Sequence, residues 1–257
     1  MSALRRLAHR AARGAARSLS PATREIALAL AGRTGNGPAV LPGPPAGPVL
    51  VVAPHPDDET IGCGGALARH AQRGDAITVL VATSGEATTG GSGDVAAARE
   101  RECREACEAL GLPAPVFLHF RDGELAGDVA ALAAVIRTHA TEAATVYVPS
   151  LLDPHPDHQA VNQAVAQAGL SQLPCDIYGY EVWSPASIDV VLDVTSVWAQ
   201  KERALRSYVT ALDSVDYVRA CTGLASYRGT VAGLSSGYAE GFLRLTAAEH
   251  RELCANL

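Results

Sequence analysis

The chain has 257 residues, 48% apolar and 19% charged, which supplies a sizeable core and excludes a disordered chain or a disulfide miniprotein. A net charge of −6 argues against a general nucleic-acid binder, and no run of 18 apolar residues marks a transmembrane helix. The average hides a split: residues 1–48 hold seven arginines against one acid, Glu25, so this tail carries +6 and the remaining chain −12.

Met1–Ala31, rich in Ala, Leu and Arg, reads as an amphipathic helix, either a solvated extension or a weak membrane-surface contact. Gly35–Gly47 is dense in Gly and Pro and reads as a linker, so residues 1–47 form an extension and 48–257 a single domain. Val49–Ala53 is a continuous apolar run, as a buried parallel strand requires. Thr60–Arg73 predicts a helix stopped by Gly74, Ile77–Ala82 a strand, Ser84–Asp94 a Gly-rich loop and Val95–Leu110 a second helix. A strand at Val116–His119, a helix at Val129–Ala140, a strand at Thr145–Val148 and a helix at Gln159–Ala168 continue the alternation. Strands at Ile177–Val182 and Val190–Val194 and a helix at Ser196–Leu212 complete it. The expected class is α/β: a Rossmann-like, mostly parallel sheet flanked by helices. Lys201, the sole lysine, is expected on the solvated side of the last helix. Six scattered cysteines lack a disulfide framework and read as reduced, mostly buried thiols of a cytoplasmic protein.

Two segments follow predicted strands and repeat Pro-His-Pro-Asp: Pro54-His55-Pro56-Asp57-Asp58-Glu59, and Pro154-His155-Pro156-Asp157-His158. Ligand sites in open parallel sheets lie at the carboxyl ends of strands, where both segments fall. His55 and Asp58 are three apart on a strand-to-helix turn, and His158 can arrive from the second loop. Two imidazoles and a carboxylate suit Zn²⁺ with an open position for water; Fe²⁺ is the runner-up, since the same set forms a facial triad. Asp57, between two ligands, should point elsewhere and suits a general base. His155 suits an oxyanion partner or an acid, and Asp157 an orienting carboxylate. Turn chemistry and helix capping explain each segment alone but not the pair.

These motifs, together with Gly62-Cys63-Gly64-Gly65, resemble the PIG-L/LmbE deacetylases, zinc-dependent amidases acting on N-acetylated amino sugars. The resemblance covers residues 48–245 and implies His55, Asp58 and His158 as zinc ligands, Asp57 as general base and His155 as oxyanion or acid residue. Arg99-x-x-Glu102 is similar to a family helix whose Arg faces substrate, and Asp122-Gly123 resembles a family turn near the pocket. The chain is therefore expected to remove the N-acetyl group from a GlcNAc-type sugar or its conjugate, a small-molecule substrate. The alternative is a metal-retaining sugar-binding protein without catalysis, which would not need Asp57. A non-haem iron oxygenase would want a β-rich barrel instead.

Overall fold

A computed structural model describes residues 38–89, 93–234 and 236–255. The arginine-rich segment Met1–Ala31 lies outside them, as do residues 90–92 of the Gly-rich loop. Among the described residues the strands are β1 (Ala39–Leu41), β2 (Val49–Ala53), β3 (Ile77–Thr83), β4 (Val116–Phe120), β5 (Thr145–Pro149), β6 (Asp176–Tyr180), β7 (Val190–Asp193) and β8 (Ala239–Thr246). The α-helices are α1 (Asp58–Arg73), α2 (Gly93–Leu110), α3 (Val129–His139), α4 (Pro156–Gln167), α5 (Trp198–Arg206), α6 (Val209–Leu212), α7 (Tyr217–Val231) and α8 (Ala247–Cys254).

The strands form one sheet in the order β1-β7-β8-β6-β5-β2-β3-β4. It is parallel except for β8, which runs antiparallel to both β6 and β7. All five residues of β2 are buried, because helices cover both faces of the sheet. Val49, Val51 and Ala53 pack with α1, α2 and α5, whereas Leu50 and Val52 pack with α3 and α4. The period-2 alternation of the strand thus feeds two separate cores. The α/β alternation is as expected, as are the buried thiols: all six cysteines are free and buried.

Several elements differ from expectation. Ala39–Leu41, inside the stretch read as a linker, pairs in parallel with β7. The helix expected over Ser196–Leu212 is broken at Ser207–Tyr208 into α5 and α6. There the buried Tyr208 turns its hydroxyl onto Glu59. Helix α4 begins at Pro156, so His158 stands in a helix first turn rather than on a loop. Lys201 is only 2% exposed, which overturns the solvated reading; its ammonium is paired with Glu240 on β8 at 2.7 Å.

Strand β2 lies between β3 and β5: the chain runs from β2 outward to β3 and β4 on one side, then crosses back to β5 on the other. That switch point opens a crevice at the carboxyl ends of β2 and β5. The two Pro-His-Pro-Asp segments follow those ends and meet there.

Candidate active site

Asp57 precedes α1 with φ 125° and ψ −30°, a left-handed-side conformation that an L-residue rarely holds. Its carbonyl accepts from the N–H groups of Thr60 and Ile61, and its own N–H donates to Glu59 Oε2 at 3.2 Å. Glu59 is fully buried and also accepts from Thr60 Oγ1 (2.6 Å) and the Tyr208 hydroxyl. The residue is therefore a brace under the turn. Although Glu59 lies near Cys103 and Cys107, its oxygens are already committed.

Beyond the first turn, α1 kinks at Cys63 (φ −140°, ψ 16°). The kink frees backbone groups that side chains must satisfy. Lys201 Nζ donates to the Ile61 carbonyl at 2.8 Å, and Glu240 accepts from the N–H groups of Gly65 and Ala66, both at 2.7 Å. Gly62 is required at this point because a Cβ would overlap the Tyr180 ring.

Asp58 Oδ2 stands between two imidazoles, 3.0 Å from His55 Nδ1 and 3.3 Å from His158 Nε2. The ring centroids of His55 and His158 are 5.4 Å apart. His158 is fully buried, yet neither ring nitrogen makes an aligned hydrogen bond. A buried imidazole nitrogen without an aligned partner, facing a carboxylate oxygen shared with a second imidazole, fits a divalent cation between the three groups. Outer carboxylates hold the far side of each ring. His55 Nε2 lies 3.1 Å from Asp122 and 3.2 Å from Asp157, and His158 Nδ1 lies 3.2 Å from Asp153. Such carboxylate–imidazole pairs fix ring orientation at metal sites.

The charges agree. Burial alone would push the His158 imidazolium down, but Asp58 and Asp153 outweigh it and lift it to about 9. Burial would raise the Asp58 carboxyl, yet His158 and His55 hold it far below the usual carboxylate range. The pocket is thus electrostatically built for positive charge beside Asp58. Burial pushes Asp57 up to about 7, against the lowering pull of Arg99.

His155 caps α4; its Nδ1 accepts from the Asp157 N–H at 3.2 Å, which leaves Nε2 to carry the ring proton when neutral. Its ring meets His55 edge-on at 4.8 Å and stacks on Trp183 at 5.9 Å. One nitrogen each from His55, His155 and His158 lie within 4.8 Å of one another, so the cap joins the same cluster.

Arg99 is 6% exposed and reaches across from α2: Nη2 donates to Asp57 Oδ2 (3.1 Å) and the Pro56 carbonyl (3.0 Å), and Nη1 to the Gly85 carbonyl (2.8 Å). Glu102, the other half of that motif, accepts from Thr210. Asp122 has one oxygen on His55 and accepts the Ala87 N–H with the other at 2.8 Å. Its side chain is thus turned onto the His55 ring rather than towards open space. Asp157 accepts from the Gly123 and Leu125 N–H groups, tying that turn to the same ring. Sequence reasoning missed Asp153, Glu240 and Trp183. Asp153 stands immediately before the second motif, two residues ahead of His155, where it could have been found; Glu240 and Trp183 have no local signal.

A cavity of about 290 Å³ has Trp183, the stacking partner of His155, in its wall.

Residues 50–169 match the family model PIG-L: GlcNAc-PI de-N-acetylase. The chain is 36% identical over 140 residues to the uncharacterized deacetylase YaiS of Escherichia coli K12, an alignment spanning 52% of this chain and 72% of that protein. It is 32% identical over 162 residues to the 1D-myo-inositol 2-acetamido-2-deoxy-alpha-D-glucopyranoside deacetylase of Rhodococcus opacus, covering 49% of this chain and only 56% of that protein. In structure it is similar to GalB, the 4-carboxy-2-hydroxymuconate hydratase of Pseudomonas putida KT2440, with TM-score 0.63 and 28% identity over 77% of this chain and 95% of that one.

Proposed function

The chain belongs to the PIG-L family, and from that premise we propose that it is an amide hydrolase removing the N-acetyl group from an amino-sugar conjugate of the GlcNAc type. The observation that carries the reading is the shared Asp58 oxygen between two imidazoles, with Asp57, held by Arg99 through one carboxylate oxygen, next to it. His55, Asp58 and His158 would hold a divalent cation; two nitrogens and one oxygen suit zinc and iron alike, and the resemblance to zinc-dependent amidases points to zinc. When bound, that ion supplies an electrophile for the amide carbonyl and acidifies a water molecule.

This chain's own residues do the rest. Asp57, with a pKa near neutrality, accepts the proton of the attacking water. Arg99 fixes its carboxylate on one side, leaving the other oxygen for that task. His155, its Nδ1 occupied by the Asp157 N–H, presents Nε2–H to the developing oxyanion. Asp57 then returns its proton to the departing amine, or His155 supplies one. Asp122, Asp157 and Asp153 hold the rings of His55 and His158 in place.

A second reading has a specific support. The likeness to a hydratase means that the same fold also serves addition of water to a carbon–carbon double bond. Both reactions need an activated water, and the substrate separates them. An acetate-release screen across N-acetylated glucosamine conjugates, with and without chelator, tests the proposal. Chelator-sensitive acetate release is expected; no release from any conjugate, with hydration of an unsaturated acid, would replace it with the second reading.

A further inference from the structure

We propose that the cavity beside His155 is a subsite for an apolar substituent of the amino-sugar substrate; this rests on the deacetylase reading and specifies its substrate class. The cavity, about 290 Å³, is walled by Ile61, Val182, Trp183, Val215, Tyr217 and Leu224. Trp183 links it to the reacting groups, because the face of its indole stacks on His155. Tyr217, at the start of α7, stands in the same wall.

The charged groups in the wall offer a sugar nothing. Glu181 is engaged by Arg228 and the Ala186 N–H. Lys201 is spent on Glu240 and the Ile61 carbonyl, and Glu240 on the α1 backbone as well. Pyranose hydroxyls placed here would lose water without gaining these partners. At the rim, Trp183 and Val215 are 52% and 40% exposed, an apolar entrance continuous with the wall. Such a chamber takes an alkyl or aryl group, carried either on the acyl side of the amide or on the aglycone.

Three compounds separate the two sources: methyl 2-acetamido-2-deoxyglucoside, its heptyl glycoside, and the methyl glycoside bearing an N-octanoyl group. Free amine is measured under steady state with the full chain. One of the two alkyl compounds is expected to show a KM at least about tenfold below that of the methyl N-acetyl compound. Val215→Asp, at the exposed rim, is expected to erase that gain while leaving turnover of the methyl N-acetyl compound unchanged. Equal KM values for all three, or a gain that survives Val215→Asp, would overturn the subsite. Equilibrium binding followed by tryptophan fluorescence keeps the two readings apart. Tighter binding of an alkyl compound without amine release retains the cavity and rejects the deacetylase, whereas equally weak binding of all three rejects the cavity.

Discussion

Asp57 stands at a φ of 125°, a conformation that costs an L-residue about 1–3 kcal/mol and is kept only where surrounding contacts hold it. Glu59 and Arg99 supply those contacts, one at its N–H and the other at its carboxylate. In the proposed chemistry Asp57→Asn lowers kcat by about 10²–10⁴-fold, the usual worth of a positioned base. His155→Ala costs about 10²–10³-fold, that of one oxyanion donor. Wild-type turnover in both variants, with unchanged melting temperatures, would remove the two residues from the mechanism. Because Asp57 must be ionised to act, the rate falls as pH drops through its pKa. Arg99 opposes the burial that raises this pKa, so Arg99→Met moves the acidic limb of kcat/KM to higher pH by about one unit. A limb that stays in place or moves down contradicts that role.

At the scale of elements, the kink in α1 is secured from far away in sequence by Lys201 on α5 and Glu240 on β8. Removing one member of a buried pair strands the other, so Lys201→Met should cost about 3–5 kcal/mol in denaturant unfolding. Pairing it with Glu240→Gln should recover part of the loss; strictly additive losses would mean that the two do not act together. A second element-level prediction concerns α8. Burial pushes His250 down to about 4, and its Nε2 lies 2.8 Å from Asn162 Oδ1 on α4. Below pH 6.5 the unfolded chain binds a proton that the native imidazole refuses. Stability is therefore lost from pH 6.5 down to about 4, by about 3 kcal/mol. His250→Gln should flatten that part of the stability profile; an equal slope in the variant would refute the assignment.

At the scale of the whole molecule, the sequence carried the β–α alternation through residue 168 because each strand there is an apolar run closed by a Gly or Pro turn. It carried the two His-Pro-Asp segments because their spacing is local. What it hid depends on distant partners. Ala39–Leu41 is a strand only through β7, and two of its three residues are exposed. Strand β8 is not predicted by the sequence pattern: it contains Glu240 and Gly241, poor strand formers whose place is set when Lys201 and the α1 backbone claim the glutamate. In α7 only Cys221, Ala225 and Gly229 are buried, so its apolar face is too narrow to announce a helix. Lys201 misled for the same reason: a lysine on a helix is solvated by default, and its acid lies 39 residues away.

At the centre of the proposed chemistry is one divalent cation seated among His55, Asp58 and His158, with Asp57 outside its coordination. Zinc titration of chelator-stripped protein, read by calorimetry, tests this most directly. One ion per chain should bind the wild type, Asp57→Asn should keep that stoichiometry while losing acetate release, and His158→Ala should lose tight binding. Undiminished zinc affinity in His158→Ala, or its loss in Asp57→Asn alone, would contradict the arrangement.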